Sequence, residues 1–261
     1  MSFDLSAKRF GWLARAPGAK FRHLGVLVLA ALVVYLFLLA RSQWSPMHQW
    51  NRAFGDASLI LVAFAMAIGP VARFLRSARP LLPWRRELGI WGVVLGLVHT
   101  AIILGGWVTW DLIRLFGFEF HPSLERYVMV QQGFGLANVI GIAALIYGLA
   151  LALTSNNFSQ RWLGGSVWKF LQQSTYVLWA LIVIHTFYFM FMHFLDFHRQ
   201  TPEPNLFRWP FVGIVVAILA FQSAAFWVTW RANRRDKGGR RGLRDRVVTE
   251  DYDPSIEGAS T

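Results

Sequence analysis

The chain has 261 residues, 55% hydrophobic and only 15% charged, with 22 Phe and 13 Trp. That is far more apolar than a soluble domain of this length, and the apolar residues are gathered into blocks, so the chain reads as an integral membrane protein. Its lack of cysteine excludes disulfides, thiolate haem ligation and cysteine-held iron–sulfur clusters. The net charge of +12 lies between and after the apolar blocks. There it reads as a topology signal and a contact with membrane lipid headgroups, not as a nucleic-acid surface.

Residues 1–22 are polar and basic (Lys8, Arg9, Arg15, Lys20, Arg22) and are read as a cytoplasmic N-terminus. The apolar run 23–40 is long and no small-x-small cleavage site follows it, so it is expected to be an uncleaved first span. A short loop with Pro46 and the interface-seeking Trp44 and Trp50 leads to a second span, about 56–75. Gly69-Pro70 near its end predicts a kink. The basic connection ARFLRSARPLLPWRRE, broken by Pro80 and Pro83, precedes the third span, 88–110, LGIWGVVLGLVHTAIILGGWVTW. A longer loop, 111–132, holds acidic residues and His121.

The fourth span is 134–154, with Asn138 as its polar exception, and 155–171 is read as a polar loop with Arg161 and Lys169. The fifth span, 172–195, QQSTYVLWALIVIHTFYFMFMHFL, contains His185 and, near its end, His193. A Pro-containing loop leads to the sixth span, 210–230. From 231 the tail is basic, then acidic and Gly/Ser-rich, and is expected to be disordered and cytoplasmic. No internal repeat and no second soluble domain stands out. The expected fold is all-α: a six-transmembrane-helix bundle over 23–230. All of the 26 Lys and Arg except Arg41, Arg52, Arg114, Arg126, Arg199 and Arg208 fall on one side of such a bundle. The positive-inside rule then places both termini in the cytoplasm, as for a multi-pass protein of a bacterial inner membrane.

Two histidines carry the chemistry. A titratable ring deep in a span is costly and marks a functional site by default. His99 lies 11 residues into the third span and His185 lies 13 into the fifth, and both spans run outward. At about 1.5 Å per residue each ring is roughly 16–20 Å from the inner end, so the two share a depth near the midplane. Two imidazoles at one depth on different helices suit the axial positions of a b-type haem, whose ligation relieves the cost of burying them. Gly92 and Gly96 precede His99 on the same helical face, leaving a strip where a neighbouring helix or the flat haem approaches closely. The competing readings are hydrogen bonding of each His across the bundle and a proton relay, for which the spans lack Asp and Glu cores. His121, His193, Asp196 and His198 populate the outer surface, and interfacial histidine is the simpler reading there than a metal-docking site. Arg76, Arg79, Arg85 and Arg86 at the inner mouth are candidates for docking an electron donor, against a purely topological role.

The segments GPVARFLR, WRRELGIWGVVLGLVHT and WKFLQQSTYVLWALIVIHTFY resemble the ferric reductase-like transmembrane domain family, and within it the MsrQ (YedZ) branch of haem-binding membrane subunits. The resemblance covers roughly residues 50–230. It implies that His99 and His185 are axial haem ligands and bind the haem iron. It also implies electron flow from a cytoplasmic flavin-dependent donor or a quinone to a periplasmic, molybdenum-containing reductase. Members of this superfamily often hold two haems with a second pair of His. Here the equivalent inward positions are Arg85 and Gln172, so one haem is expected. The chain has no Gly-rich dinucleotide fingerprint, so the donor is expected to be a separate molecule.

The sequence therefore predicts a membrane electron-transfer subunit, an oxidoreductase component whose substrate catalysis lies in a partner. The alternatives are a self-sufficient transmembrane ferric or metal reductase and a haem-free transporter or scaffold.

Overall fold

The computed structural model describes residues 18–193, 195 and 205–250, with side chains through Arg234. The chain divides into two units, Met1–Ile218 and Leu219–Thr261. Helix α1 (Ala19–Ala40) is followed by α2 (Pro46–Phe74), and Pro46 stands at the start of α2, where its missing N–H costs nothing. A 3-10 segment, Arg76–Leu81, carries the two prolines' connection into α3 (Trp84–Ile102), which widens into a π-helical turn, Ile103–Trp107. Thr109 and Trp110, both at positive φ, end it.

After a hairpin of β1 (Phe118–His121) and β2 (Arg126–Met129) come α4 (Gln132–Thr154), α5 (Asn157–Leu163), α6 (Gly165–Gln173) and α7 (Thr175–Phe187). A second π turn, Tyr188–Met192, prolongs α7, and α8 spans Arg208–Glu250. Six of these stretches are long and apolar enough to cross a membrane: α1, α2, α3 with its π turn, α4, α6 to Met192, and 208–234 of α8. The protein is a multi-pass membrane protein.

Three features differ from the sequence expectation. The loop 111–132 contains the antiparallel hairpin, Phe118 opposite Met129 and His121 opposite Arg126. Its base is pinned because Gly117, at φ 84°, offers its carbonyl to the N–H groups of Val130 and Gln131 at 3.0 Å each. The polar loop 155–171 is mostly helical: Asn156 caps α5 by accepting from the Ser159 N–H at 2.7 Å, and Gly164 at φ 78° turns the chain into α6. The sixth helix continues through residue 231 to Glu250. Residues 1–17 and 251–261, parts of the expected N-terminal segment and tail, lie outside the described residues.

Within the first unit α2 is the most buried span and organises the packing. One face meets α1 and α3 through Val26, Ala30, Ala57, Leu61 and Leu95. The other meets α7 and the start of α8 through Leu59, Met66, Trp179 and Phe211. Helix α4 packs on α7 through Ala144, Leu151 and Leu178. Two buried ion pairs bind the α1 side: Arg22 donates from Nε and Nη2 to Glu87 Oε1 at 2.9 and 2.7 Å, and Arg41 pairs with Asp56. By contrast Leu24, Val28, Leu32, Leu36 and Leu39 of α1 are exposed, as a lipid-facing strip requires. In the second unit, Trp227 and Trp230 meet edge to face at 5.2 Å and the Arg234 guanidinium lies 4.0 Å over Trp230.

Candidate functional site

His99 sits in the last turn of α3 and His185 in the last turn of α7, each just before its helix widens into a π turn. Such turns recur at functional sites because they re-aim the side chains beside them. The two imidazoles meet across the helices with ring centroids 6.4 Å apart and planes crossed at 88°. His99 Nδ1 lies 2.9 Å from the carbonyl oxygen of Asn51 on α2, and His185 Nδ1 lies 2.7 Å from that of Ala137 on α4. A carbonyl oxygen only accepts, so Nδ1 carries the proton and donates in both rings. Each Nε2 is then a lone-pair donor for a metal, the second-shell arrangement that fixes a ligating histidine's tautomer and orientation.

The spacing suits one metal between two rings. Two metal–imidazole bonds of about 2 Å, plus roughly 1 Å from each Nε2 to its ring centre, span about 6 Å; the centroids are 6.4 Å apart. Two neutral imidazoles with their Nδ1 protons tied back are the donor set of a six-coordinate haem. Among the described residues no group of three or more His, Asp or Glu gathers for a bare metal ion.

The site repeats itself. In both halves the histidine bonds the carbonyl 48 residues earlier, Asn51 for His99 and Ala137 for His185. In both halves a glycine one turn beyond that carbonyl faces the ring. A Cβ on Gly55 would lie 3.0 Å from His99 Nδ1, and one on Gly141 would lie 2.7 Å from His185 Nδ1. The sequence around these glycines matches too: GDASLI from Gly55 and GIAALI from Gly141, with VHT and IHT at the histidines. This internal repeat is not legible by eye, because its two short motifs lie far apart in each half.

Rings close the side of the site toward the π turns. Phe189 lies 5.0 Å from His185 and 5.7 Å from Phe134; Phe134 is 6.1 Å from Trp107, which is 5.3 Å from His48. This apolar wall keeps water from the imidazoles on that side. Periodicity marks these residues only as apolar, so the sequence offered no signal for their shared role.

The other candidate residues are placed as follows. Gly92 and Gly96 face α2: a Cβ on Gly92 would lie 2.9 Å from Val62 Cγ2, and one on Gly96 would lie 3.5 Å from Ser58 Oγ. Ser58 Oγ also donates to the Gly92 carbonyl at 2.7 Å. Of the two occupants expected beside that strip, the structure puts the neighbouring helix there, and the glycines against the imidazoles are Gly55 and Gly141. In the basic cluster Arg76, Arg79 and Arg85 are exposed and Arg86 is half-buried; Arg85 Nε donates to the Ala65 carbonyl at 2.9 Å and Arg86 to Asn157 Oδ1 at 3.1 Å. Gln172 bonds Ser155 Oγ and Thr154 Oγ1 at 3.2 and 3.3 Å. His121 is exposed at the end of β1, whereas His193 is buried among Phe134, Tyr188 and Phe189. Asp196 and His198 lie outside the described residues.

Residues 54–183 match the family model described as "Ferric reductase like transmembrane component". The chain is similar to the protein-methionine-sulfoxide reductase heme-binding subunit MsrQ of Ralstonia nicotianae, 27% identical over 228 residues that cover 83% of this chain and 91% of the relative. The Bordetella parapertussis protein of that name is 27% identical over 184 residues, 70% of this chain and 77% of the relative. The magnetosome protein MamZ of Magnetospirillum gryphiswaldense is 25% identical over 141 residues, 54% of this chain but only 20% of MamZ.

Proposed function

The chain belongs to the ferric reductase-like transmembrane family, and on that footing we propose that it is a haem b-containing membrane electron-transfer subunit. The observation that carries this reading is the crossed pair of imidazoles, 6.4 Å apart, with both Nδ1 groups tied to backbone carbonyls. His99 and His185 hold the iron through Nε2. A haem so held supplies reversible one-electron transfer. The chain's own part is to fix both rings, to exclude water through the Phe134–Phe189–Trp107 wall, and to span the membrane.

A single haem is favoured because Arg85 and Gln172, at the inward positions of a second pair, are engaged with the Ala65 carbonyl and with α4's last turn. The distribution of Arg and Lys supports cytoplasmic termini and a bacterial inner membrane. The donor is a cytoplasmic flavin reductase or a quinone, and Arg76, Arg79, Arg85 and Arg86, the first three of them exposed, are its docking candidates. The relatives' names support an acceptor that reduces methionine sulfoxide in proteins; the proposed partner is a periplasmic, molybdenum-containing reductase, as the family resemblance implies.

The test is the reduced-minus-oxidised spectrum of the purified full chain with haem stoichiometry, beside His99→Ala and His185→Ala. One low-spin b-type haem per chain, lost in both variants, is the expected result. Wild-type protein without haem, after expression with ample haem supply, would sink this reading.

A further inference from the structure

Each proposed ligand is held by the same device, a carbonyl on the neighbouring helix and a glycine four residues beyond it. The residue at i+4 of a helix matters to the carbonyl at i for a geometric reason. Side chains lean toward the helix N-terminus, so residue i+4 covers the turn that contains carbonyl i. A ring on another helix reaches that carbonyl only if position i+4 leaves the path open. Gly55 stands four residues after Asn51 and Gly141 four after Ala137, and these are the carbonyls the two Nδ1 groups bond. Added Cβ atoms would lie 3.0 Å from His99 Nδ1 and 2.7 Å from His185 Nδ1, the second closer than side-chain carbons come. The ring atoms in contact cannot swing away while the Nδ1 bond holds, because ring and carbonyl are both fixed to helices.

We propose that Gly55 and Gly141 are positioning residues that uncover the Asn51 and Ala137 carbonyls, and that they thereby hold the two imidazole planes crossed and each Nε2 directed at a shared metal. The proposal rests on the haem reading of the same site, and it makes a claim about the apoprotein as well. In neither half does the device use the identity of the carbonyl residue's side chain, which is asparagine in one and alanine in the other. It needs the backbone oxygen and the absence of a side chain one turn on.

The test compares Gly55→Ala and Gly141→Ala with Gly92→Ala in the full-length chain. Gly92 is the control because its Cβ would meet Val62 and not a histidine. Three readouts are taken: haem content, the ferric EPR spectrum, and the imidazole nitrogen signals of histidine-labelled, haem-free protein. Crossed imidazole planes give a strongly anisotropic low-spin EPR spectrum, which the wild type and Gly92→Ala should share. Gly55→Ala and Gly141→Ala should lose haem or, where haem is retained, show reduced anisotropy and a shifted midpoint potential. In the haem-free protein each should lose the hydrogen-bonded Nδ1–H signal of its own histidine only.

Wild-type EPR, potential and Nδ1–H signals in both variants would overturn the proposal. So would equal haem loss in all three variants with the Nδ1–H signals intact, since that would be a general packing effect. If the wild type binds no haem, the haem reading fails, and the Nδ1–H signals still decide the positioning role on their own.

Discussion

The two halves of the site, α2 with α3 and α4 with α7, present a histidine in the same way but are supported differently. The first half is tied to α1 by buried charge, Arg22 to Glu87 of α3 and Arg41 to Asp56 of α2, the residue next to Gly55. No such ion pair reaches α4 or α7 of the second half among the described residues. Its position equivalent to Asp56 is Ile142, and its packing is apolar and aromatic, through Ala144, Leu151, Leu178 and Phe189. The polar scaffold is therefore not what presents an imidazole. A carbonyl, an open position one turn later and a π turn after the histidine are common to both halves. The charges serve another purpose, fixing α1 against α2 and α3 where no other helix is described as packing on its outer face.

The largest effect tests the equivalence itself. If both rings hold one iron, His99→Ala and His185→Ala should each abolish low-spin haem, and to the same extent. Retention of haem in one variant and not the other would break the symmetry and point to a ligand from elsewhere. Next comes the scaffold. Asp56→Ala leaves the Arg41 guanidinium buried and unpaired, which should cost about 3–5 kcal/mol of stability. Ile142→Ala, at the equivalent place, removes a half-buried aliphatic side chain and should cost less, roughly 1–2 kcal/mol. Thermal unfolding in detergent reads both, and equal losses would show that the charged pair carries no special weight in the first half.

The glycines sharpen the comparison further. An alanine at Gly92 is pressed against Val62 Cγ2 at 2.9 Å, with the Ser58 carbonyl and Leu61 Cβ of α2 behind it at 3.5 and 3.6 Å. Helix α2 cannot retreat, so overpacking of about 1–3 kcal/mol is expected. Gly148→Ala, in the second half, meets the Val93 Cγ2 and Leu178 Cδ1 methyls at 3.0 and 3.7 Å, which are side-chain tips that can turn. There the gain of about 1 kcal/mol in helix propensity on replacing glycine should nearly offset the strain. A stability loss at Gly148 as large as at Gly92 would show the second half to be as tightly packed as the first.

These contrasts also mark what the sequence discloses. His99 and His185 are legible because a polar ring in an apolar span stands out in one dimension, and a count of residues places both at one depth. The six spans are legible for the same reason. Gly55 and Gly141 are not, because glycine is common in membrane helices and its meaning depends on which helix packs opposite. Gly92 illustrates the converse: the same i, i+7 logic that put it on the His99 face cannot tell whether a helix or a ligand lies there. The cluster from Arg76 to Arg86 reads as one patch, yet Arg85 turns onto the Ala65 carbonyl of α2, a contact that only tertiary packing creates. The first strand was available to a closer reading, since FEFH alternates apolar and polar residues between Gly117 and Pro122.

The smallest effect lies outside the membrane-spanning segments, on that hairpin. Tyr127 donates its phenolic O–H to Asp111 Oδ2 at 2.9 Å, linking β2 to the end of the third span. That hydrogen bond favours the neutral phenol, and the carboxylate's charge opposes ionisation, so the Tyr127 pKa is raised above the ordinary tyrosine value. A raised pKa in the folded protein means that the contribution is fully present below the unfolded value and is lost as pH rises through the folded one. The contact should thus persist throughout the neutral range and open only in strong alkali. Tyr127→Phe should leave both histidine-bearing halves unchanged and remove from the tyrosine absorbance titration a component that ionises above the ordinary tyrosine range. Loss instead of a component that ionises in the ordinary tyrosine range would mean that the hairpin is not held to Asp111, and that the loop moves independently of the helix it follows.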